Sequence, residues 1–397
     1  MQYENVAIPL GFAWSSPFVR WQGSLAEVPS TELAAAVTTR ALADRHLDPD
    51  ELAGLVLGWS VPQIDIFYGA PTLAGRIGAP GITGPMISQA CATSVAAIHA
   101  AAGSVQGGAG TQLVVATDRT SNGPLLVQPT PSAPGGTPRV QAWVTDSFAC
   151  DPWAGTSMLV TAENVARELG AIRAQADEVA VLRSEQYAKA QAGDIPSRYL
   201  VPIEIPQGRR TLTVAADEGV RPLTAEVAPT LPTVEPDGVH TYGSQTHPAD
   251  GTAGCIVTTR ERAAELAGGA GVAEILATGF ARVGKSRMPQ APVPAAYQAL
   301  AAAGLTFDDV HAVTTHNPFA VNDLWFSSQT GYPLERMNAY GCSLVFGHPQ
   351  APTGMRSIAE LIVELTERGG GIGLFSGCAA GDTAAALVLR VSDGSGR

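Results

Sequence analysis

The stretch Leu47-Asp48-Pro49-Asp50-Glu51-Leu52-Ala53-Gly54-Leu55-Val56 returns 258 residues later, in altered form, as Leu305-Thr306-Phe307-Asp308-Asp309-Val310-His311-Ala312-Val313. Each copy follows an apolar-periodic segment, 31–46 or 295–303, that predicts a helix. Each copy leads through a short acidic turn into a buried strand. Repetition at so large an offset indicates a duplicated fold. Because helices alternate with buried strands, we expect a layered α/β architecture.

The repeat continues through two turns that carry reactive side chains. Gln89-Ala90-Cys91 precedes a helix of small residues predicted over 94–105, and Gly347-His348-Pro349 precedes a second helix predicted over 355–367. Glycines follow both helices, where C-caps are expected, and a strand follows each. Cys91 and His348 are therefore equivalent positions of the two copies, although 257 residues separate them.

A long insertion interrupts the first copy. The segment 250–257 resembles 381–388 at an offset of only 131, so the first copy carries about 128 additional residues. The insertion is rich in proline near its start and contains one helical region, predicted over 162–189. The predicted domains are an N-terminal half (1–120 plus 250–270), an insertion subdomain (121–249) and a C-terminal half (271–397).

Composition and charge exclude several classes of protein. The 397 residues carry a net charge of −12 and form no basic cluster, which argues against a nucleic-acid partner. No apolar run approaches the roughly 20 residues that span a bilayer, and the N-terminus lacks signal-peptide features. The five cysteines are an odd number and widely spaced, as is typical of free thiols in a reducing compartment. We expect a cytoplasmic protein without a membrane partner.

The duplication gives Cys91 and His348 a shared chemistry. Equivalent turns of a duplicated fold tend to face each other across the pseudo-twofold axis, and both turns precede helices whose N-termini favour negative charge. We expect the pKa of the Cys91 thiol to be lowered there, and His348 to accept its proton. The alternative is that Cys91 is a small buried apolar residue without a chemical role. Because the equivalent position of the second copy is a histidine, we favour a nucleophile.

Two further side chains lie at predicted strand ends, where α/β ligand sites gather. His316 ends the strand 313–316, and Cys378 follows a buried strand with glycines on both sides. Cys378 is equally compatible with a packing thiol. No Cys or His pair has the spacing of a zinc site, so we predict no metal site.

Five segments together resemble motifs of the thiolases, the acyl-CoA C-acyltransferases, and the resemblance covers nearly the whole chain. The segments are Cys91-Ala92-Thr93-Ser94, Ser157-Met158 with Thr161-Ala162-Glu163-Asn164-Val165-Ala166, His316-Asn317-Pro318-Phe319, Gly347-His348-Pro349 and Gly377-Cys378-Ala379-Ala380-Gly381. The resemblance implies a thiolase fold: two duplicated βαβαβαββ halves in a five-layered α-β-α-β-α core, with the insertion as a loop subdomain.

The resemblance also implies a thiolase reaction of lipid metabolism, acyl-CoA + acetyl-CoA ⇌ 3-oxoacyl-CoA + CoA. Cys91 would carry the acyl group, His348 would activate the thiol, and Cys378 would move the proton at the α-carbon. His348 and His316, through a water, would form one oxyanion hole. The backbone N–H groups of Cys91 and Gly381 would form the other.

Family-matched positions imply where the substrates bind. Met158, Arg221 and Thr246 would hold the pantetheine arm, and Met288 and Phe319 would line the acyl end. The resemblance implies coenzyme A thioesters as substrates, namely acyl-CoA and acetyl-CoA or free CoA, with no bound cofactor. It also implies a homodimer or a dimer of dimers.

Several motifs depart from the family pattern. Thr230-Leu231-Pro232-Thr233 replaces a basic run that contacts the CoA phosphates, and Gln350-Ala351-Pro352 replaces Leu-Gly-Ala. Two alternatives therefore stay open. One is a specialised C–C bond-forming acyltransferase of a biosynthetic pathway, using a non-CoA acceptor or a carrier-protein thioester. The other is a thiolase-like partner subunit with little activity of its own.

Overall fold

The structure is a computed structural model that describes residues 1–394. The strands are β1 (Val6–Pro9), β2 (Ala13–Ser15), β3 (Val19–Arg20), β4 (Gly54–Gly58), β5 (Met86–Ile87), β6 (Gln112–Arg119), β7 (Leu125–Gln128), β8 (Arg139–Ala142), β9 (Ile203–Gln207), β10 (Arg210–Val214), β11 (Ala249–Thr259), β12 (Val272–Arg282), β13 (Ala312–His316), β14 (Gly371–Ala379) and β15 (Thr383–Ser392). The helices are α1 (Ser30–Asp44), α2 (Gly69–Arg76), α3 (Thr93–Gln106), α4 (Trp143–Ala149), α5 (Met158–Leu169), α6 (Arg173–Ala192), α7 (Arg260–Leu266), α8 (Pro292–Ala302), α9 (Ala320–Thr330), α10 (Ser343–Phe346) and α11 (Thr353–Glu367). Within residues 1–394, no helix combines the length and apolar character needed to cross a membrane.

The strand order confirms the duplication. The main strands run in the order β13-β14-β15-β12-β1-β11-β6-β4-β5. The order in one half is the mirror image of that in the other: β13, β14, β15 and β12 correspond to β4, β6, β11 and β1. The halves meet at β12 and β1. In each half two strands are parallel, β4 with β6 and β13 with β14. In each half the next strand is antiparallel, β11 beside β6 and β15 beside β14. The same topology on both sides is what the sequence repeat predicts.

Two central helices, α3 and α11, lie between the two halves of this continuous sheet, and they contact each other and strands of both halves. Apolar side chains of these helices and of both halves of the sheet form one buried cluster. Helices α1 and α2 cover the outer face of the first half, and α8 and α9 cover that of the second. The result is a five-layered α-β-α-β-α core. The central helices approach closely where a Cβ on Gly354 would lie 3.1 Å from the Cβ of Ser94.

The insertion differs from its prediction in one respect. The single helical region expected over 162–189 is wrong: the structure has two helices, α5 and α6. Gly170 ends α5 in the left-handed conformation, with φ of 68°, which glycine adopts without the Cβ penalty. The proline-rich stretch forms an antiparallel hairpin, β7 with β8. The division of the chain at residues 120, 249 and 270 stays a prediction.

Buried ion pairs join the insertion to the C-terminal half. Arg183 on α6 lies 2.8 Å from Asp323 on α9, and neither side chain is exposed. Arg356 on α11 lies 2.6 Å from Asp217 of the insertion and 3.0 Å from Glu360. Removing one partner of a buried pair leaves an uncompensated charge, which is strongly destabilising. These pairs therefore hold the insertion in one position over the core.

Candidate active site

The structure brings Cys91 and His348 into contact. The Cys91 Sγ lies 3.1 Å from Nε2 of His348, and Nδ1 of His348 lies 2.6 Å from the hydroxyl of Thr353. Cys91 precedes α3 and His348 precedes α11, so the close packing of the two central helices places both turns at one end of the core. The pair has the nucleophile–base–orienting-group arrangement typical of activated thiols.

The backbone around His348 is held by the segment that precedes β11. The N–H of His348 donates to the carbonyl of His247 at 2.8 Å, and the N–H of Ala249 donates to the carbonyl of His348 at 3.3 Å. Gly347 has φ of 87°, and a Cβ there would lie 2.9 Å from the Cβ of Ala249. Glycine is favoured at residue 347 because its φ is positive and a Cβ would collide with the side chains of Ala249 and His247.

The protonation states differ from those expected at a helix N-terminus. Burial raises the pKa of the Cys91 thiol to about 12, although N–H groups of Ala380 and of Cys91 itself act in the opposite direction. Burial, followed by the charges of His316 and His247, lowers the pKa of His348 well below its usual value. The expected lowering of the Cys91 pKa is therefore wrong. The resting pair is a neutral thiol beside a neutral imidazole, because desolvation disfavours both charged forms.

A raised thiol pKa predicts slow alkylation of Cys91 that accelerates with pH. At pH 7 about one thiol in 10⁵ is ionised if the pKa is about 12. Iodoacetamide alkylates the free thiolate, without the bound thioester toward which His348 acts as base, so we expect the rate of Cys91 carbamidomethylation to rise about tenfold per pH unit from pH 6 to 9.5 without a plateau. Peptide mass spectrometry of a Cys150→Ser background, which removes an exposed thiol, measures the rate. A plateau with a midpoint near pH 7 contradicts the prediction.

His316 lies against His348. The two rings stack with their centroids 4.1 Å apart, and Nδ1 of His316 lies 3.2 Å from the hydroxyl of Ser343. Burial lowers the pKa of His316 to about 3, and its Nε2 is buried without a hydrogen-bond partner within residues 1–394. One ligand atom each from Cys91, His316 and His348 lies within 4.8 Å of the others. Sequence spacing does not reveal this cluster.

A buried carboxylate fixes the loop that carries His316. Asp323 on α9 accepts hydrogen bonds from the hydroxyl of Thr315 and the amide of Asn317, both at 2.7 Å. Arg183, which lies on helix α6 of the insertion, also contacts the Asp323 carboxylate. Because these groups are fully buried, the network holds the end of β13 rigidly and orients the imidazole that follows.

Cys378, at the end of β14, is fully buried. The amide Nδ2 of Asn322 donates to its Sγ at 3.2 Å. Burial, and secondly the charge of a Cys91 thiolate, raise the pKa of Cys378 well above its usual value. The Sγ of Cys378 also lies 4.0 Å from the carbonyl oxygen of His316. Cys378 is therefore held beside His316 as a buried, protonated thiol.

The structure places the predicted Gly381 N–H away from the thiol. The N–H of Gly381 donates to the carboxylate of Asp151 at 2.9 Å. The N–H of Ala380, one residue earlier, acts on the Cys91 thiol instead, since it lowers the pKa of that thiol. The donors that face the nucleophile are thus the N–H groups of Cys91 and Ala380.

A cavity of about 410 Å³ opens over the Cys91–His348 pair. Met158, Thr246, Met288 and Phe319, four of the predicted binding residues, line it. The insertion helix α5 positions one of them, since the N–H of Met288 donates to the hydroxyl of Thr161 at 2.8 Å. The remaining lining residues are Phe148, Ser157, Leu159, Val234, Tyr242, Gln245, Pro248, Pro318, Gln350 and Ala380. The cavity wall is predominantly apolar.

Arg221 is not among the residues that line this cavity. Its side chain is exposed, and its charge contributes, after burial, to a lowered pKa of His247. The segment 230–233, which lacks basic residues, is anchored instead by Arg173 of α6, whose guanidinium donates to the carbonyls of Ala228, Pro229 and Leu231. The structure therefore supplies little positive charge at this side of the site.

Several site residues were not identified from the sequence. Asp118, at the end of β6, accepts the N–H of Ala351 at 2.9 Å and that of Ser60 at 2.9 Å, which ties the turn after His348 to the N-terminal half. Thr353, Asn322 and Asp151 have no motif that could have indicated them. For Gln350 there was a signal, because it stands where the resembled family has leucine.

Comparison with known proteins identifies the family. Residues 12–261 match the family model described as "Thiolase, N-terminal domain", and residues 270–391 match "Thiolase, C-terminal domain". The acetyl-CoA acetyltransferase of Cupriavidus necator is 28% identical over 381 residues, with 94% of this chain and 96% of the relative covered. The peroxisomal 3-ketoacyl-CoA thiolase B of Rattus norvegicus is 27% identical over 388 residues, covering 93% and 87%.

The fold agrees as closely. The crystal structure of human mitochondrial 3-ketoacyl-CoA thiolase superposes with a TM-score of 0.88 at 25% identity, covering 97% of this chain and 98% of that chain. The two family matches together extend from residue 12 to residue 391 apart from residues 262–269. The chain therefore belongs to the thiolase family of acyltransferases.

Proposed function

We propose that the protein makes or cleaves 3-oxoacyl-CoA by Claisen or retro-Claisen chemistry through an acyl-Cys91 intermediate. The observation that carries this proposal is the 3.1 Å contact between Cys91 and His348 in the wall of an apolar cavity. A thiol beside a neutral imidazole is suited to attack on a carbonyl carbon.

In the cleavage direction, the sulfur of Cys91 attacks the 3-oxo carbon of the substrate. His348 takes the thiol proton as the carbon–sulfur bond forms, because a thiol with a pKa of about 12 is not ionised beforehand. The bond between C2 and C3 then breaks. Its electron pair leaves on the acetyl-CoA enolate, and the acyl group stays on Cys91.

Cys378 supplies the proton that the enolate needs. Its raised pKa keeps it protonated, and the contribution of Cys91 to that rise supports a position near the nucleophile. The proton on His348 then returns to the Cys378 thiolate, directly or through solvent, so that both groups are restored. In the second half-reaction the thiol of CoA attacks acyl-Cys91, His348 takes the CoA proton, and His348 passes that proton to the departing Cys91 thiolate. In the synthetic direction the same thiol, Cys378, accepts the α-proton of acetyl-CoA after ionisation.

Two groups of donors face the positions where negative charge develops. The N–H groups of Cys91 and Ala380 surround the sulfur, and they suit the oxyanion of the tetrahedral intermediate. The unpartnered Nε2 of His316, next to His348, suits the enolate oxygen, directly or through a water. Donors that are already in place require no reorganisation during the reaction.

We propose coenzyme A thioesters as the substrates, because relatives that match nearly the whole chain are named as acetyl-CoA acetyltransferase and 3-ketoacyl-CoA thiolase. Met158 and Thr246 would contact the pantetheine arm, and Met288 and Phe319 the acyl chain. Arg221 would reach the CoA only at the protein surface. A dimer or a dimer of dimers stays a prediction.

The test is CoA-dependent cleavage of acetoacetyl-CoA and of longer 3-oxoacyl-CoA thioesters by the purified protein. We expect acetyl-CoA and the shortened acyl-CoA in equal amounts, as measured by liquid chromatography. Intact-protein mass spectrometry without CoA is expected to show one acyl group per chain. A folded protein that cleaves no 3-oxoacyl thioester and accepts no acyl group overturns the proposal.

A further inference from the structure

Gln350 lies next to the nucleophile. The thiol of Cys91 donates to Oε1 of Gln350 at 3.3 Å, so this amide and His348 both contact the sulfur. The side chain lines the cavity and is only 6% exposed. Proximity to the sulfur means that any acyl group on Cys91 must pass beside this amide.

The other end of the amide has no partner. The Nε2 of Gln350 is buried and makes no hydrogen bond within residues 1–394. Leaving a buried polar group without a partner is unfavourable, so nearly all such groups are satisfied in folded proteins. The amide of Gln350 is therefore held beside the sulfur with part of its hydrogen-bonding capacity unused.

The backbone at Gln350 is also unusual. Its φ of 72° is left-handed, a conformation that is unfavourable for non-glycine residues. The following N–H groups hold it there: Ala351 donates to Asp118 at 2.9 Å, and Thr353 donates to the carbonyl of Gln350 at 3.2 Å. Strain held in place by surrounding contacts is typical of functional positions. Here it directs a polar side chain toward the nucleophile.

We propose that Gln350 is a specificity-determining residue that hydrogen-bonds a hydroxyl group on the second or third carbon of the acyl chain carried by Cys91. The preferred substrates would then be hydroxyacyl thioesters. This inference rests on the function proposed above and names its substrate class.

A hydroxyl fits the amide better than other oxygen groups. Acylation of Cys91 removes the thiol proton, so Oε1 of Gln350 loses its donor and the amide beside the sulfur is left without a partner. A hydroxyl satisfies either atom, because it accepts from an N–H and donates to a carbonyl. The thioester oxygen is served by the N–H groups of Cys91 and Ala380. The amide of Gln350 is therefore free to bind an oxygen on the second or third carbon of the acyl chain, which lies close to the sulfur.

The experiment compares acyl donors that differ by one hydroxyl: butyryl-CoA with 3-hydroxybutyryl-CoA, and propionyl-CoA with lactoyl-CoA, each hydroxyacyl donor as separate enantiomers. Rates of Cys91 acylation are measured by intact-protein mass spectrometry. The variants are Gln350→Met, which keeps an unbranched chain of similar length, and Gln350→Leu. Gln329→Met on the exposed face of α9 is the matched control. Acetyl-CoA provides the internal reference rate for every variant, so a general loss of activity cancels in the ratios.

We expect the wild-type protein and Gln329→Met to acylate with at least one hydroxyacyl donor about tenfold faster than with its deoxy partner, the size of effect of one hydrogen bond. Both Gln350 variants are expected to lose that preference while still accepting acetyl groups. Equal rates for each pair in the wild-type protein, or a preference that survives both substitutions, overturn the inference and leave the proposed function intact. Absence of acylation by any donor in the wild-type protein overturns both.

Discussion

Replacing Cys91 by alanine is expected to abolish thiolysis, with a loss in kcat of about 10⁴-fold or more, as is typical when a covalent nucleophile is removed. The sulfur of Cys91 is the atom that bonds to the acyl group in the proposed reaction. It is also the thiol that lies 3.1 Å from Nε2 of His348, the proposed base. The acyl adduct seen by intact-protein mass spectrometry is expected to disappear together with the activity.

Cys150→Ser is the matched control for this variant. Cys150 is an exposed thiol, so nonspecific acylation by reactive thioesters falls first on this residue. We expect Cys150→Ser to keep both the adduct and the activity. An adduct that persists in Cys91→Ala and disappears in Cys150→Ser would show that Cys91 is not the nucleophile. Circular dichroism spectra compared with the wild-type protein establish that each variant is folded.

Replacing His348 by asparagine is expected to lower the rate of Cys91 acylation by about 10²–10⁴-fold, the contribution of a positioned general base. The thiol keeps its high pKa in the variant, so little thiolate is available without a base. The rate is measured in a single turnover with acetyl-CoA. His46→Asn on the protein surface is the control, because asparagine tolerates the left-handed backbone found at His46.

The assignment of His348 as the general base also predicts the pH dependence of the wild-type acylation rate. The pKa of His348 is lowered well below 6.5 by burial and by the charges of His316 and His247, so the imidazole stays neutral as the pH falls through 6.5. We expect an acylation rate that is level between pH 6 and 7.5 and falls only as the pH drops through the lowered pKa. A tenfold rise per pH unit would show that the thiolate forms before attack, which contradicts general-base catalysis by His348.

Much of the fold could be predicted from the sequence. The repeated turn at 47–56 and 305–313 implied two equivalent halves, and the mirrored strand order confirms them. The helices after Cys91 and His348 lie within two residues of their predicted starts, because caps and apolar periodicity are local signals. The insertion helices were merged into one, since Gly170 alone marks the break and a single glycine inside a helical pattern is a weak signal.

The site could be predicted only where a motif carried it. Met158, Thr246, Met288 and Phe319 lie in the cavity wall as expected, whereas Arg221 does not, and the N–H of Gly381 turns to Asp151 and leaves that of Ala380 at the sulfur. Which of two adjacent N–H groups faces a ligand depends on backbone dihedral angles. Those angles are set by contacts with distant residues.

The sequence by itself determined the duplication, the family resemblance and the pairing of Cys91 with His348, because these depend on residue identity and order. The tertiary structure alone decided their protonation states and surroundings. A pKa of about 12 for Cys91 and of about 3 for His316 results from desolvation by the packed halves and the insertion. The unpartnered Nε2 of Gln350 likewise results from burial. Burial of this kind depends on every layer of the fold at once, and no local stretch of sequence encodes it.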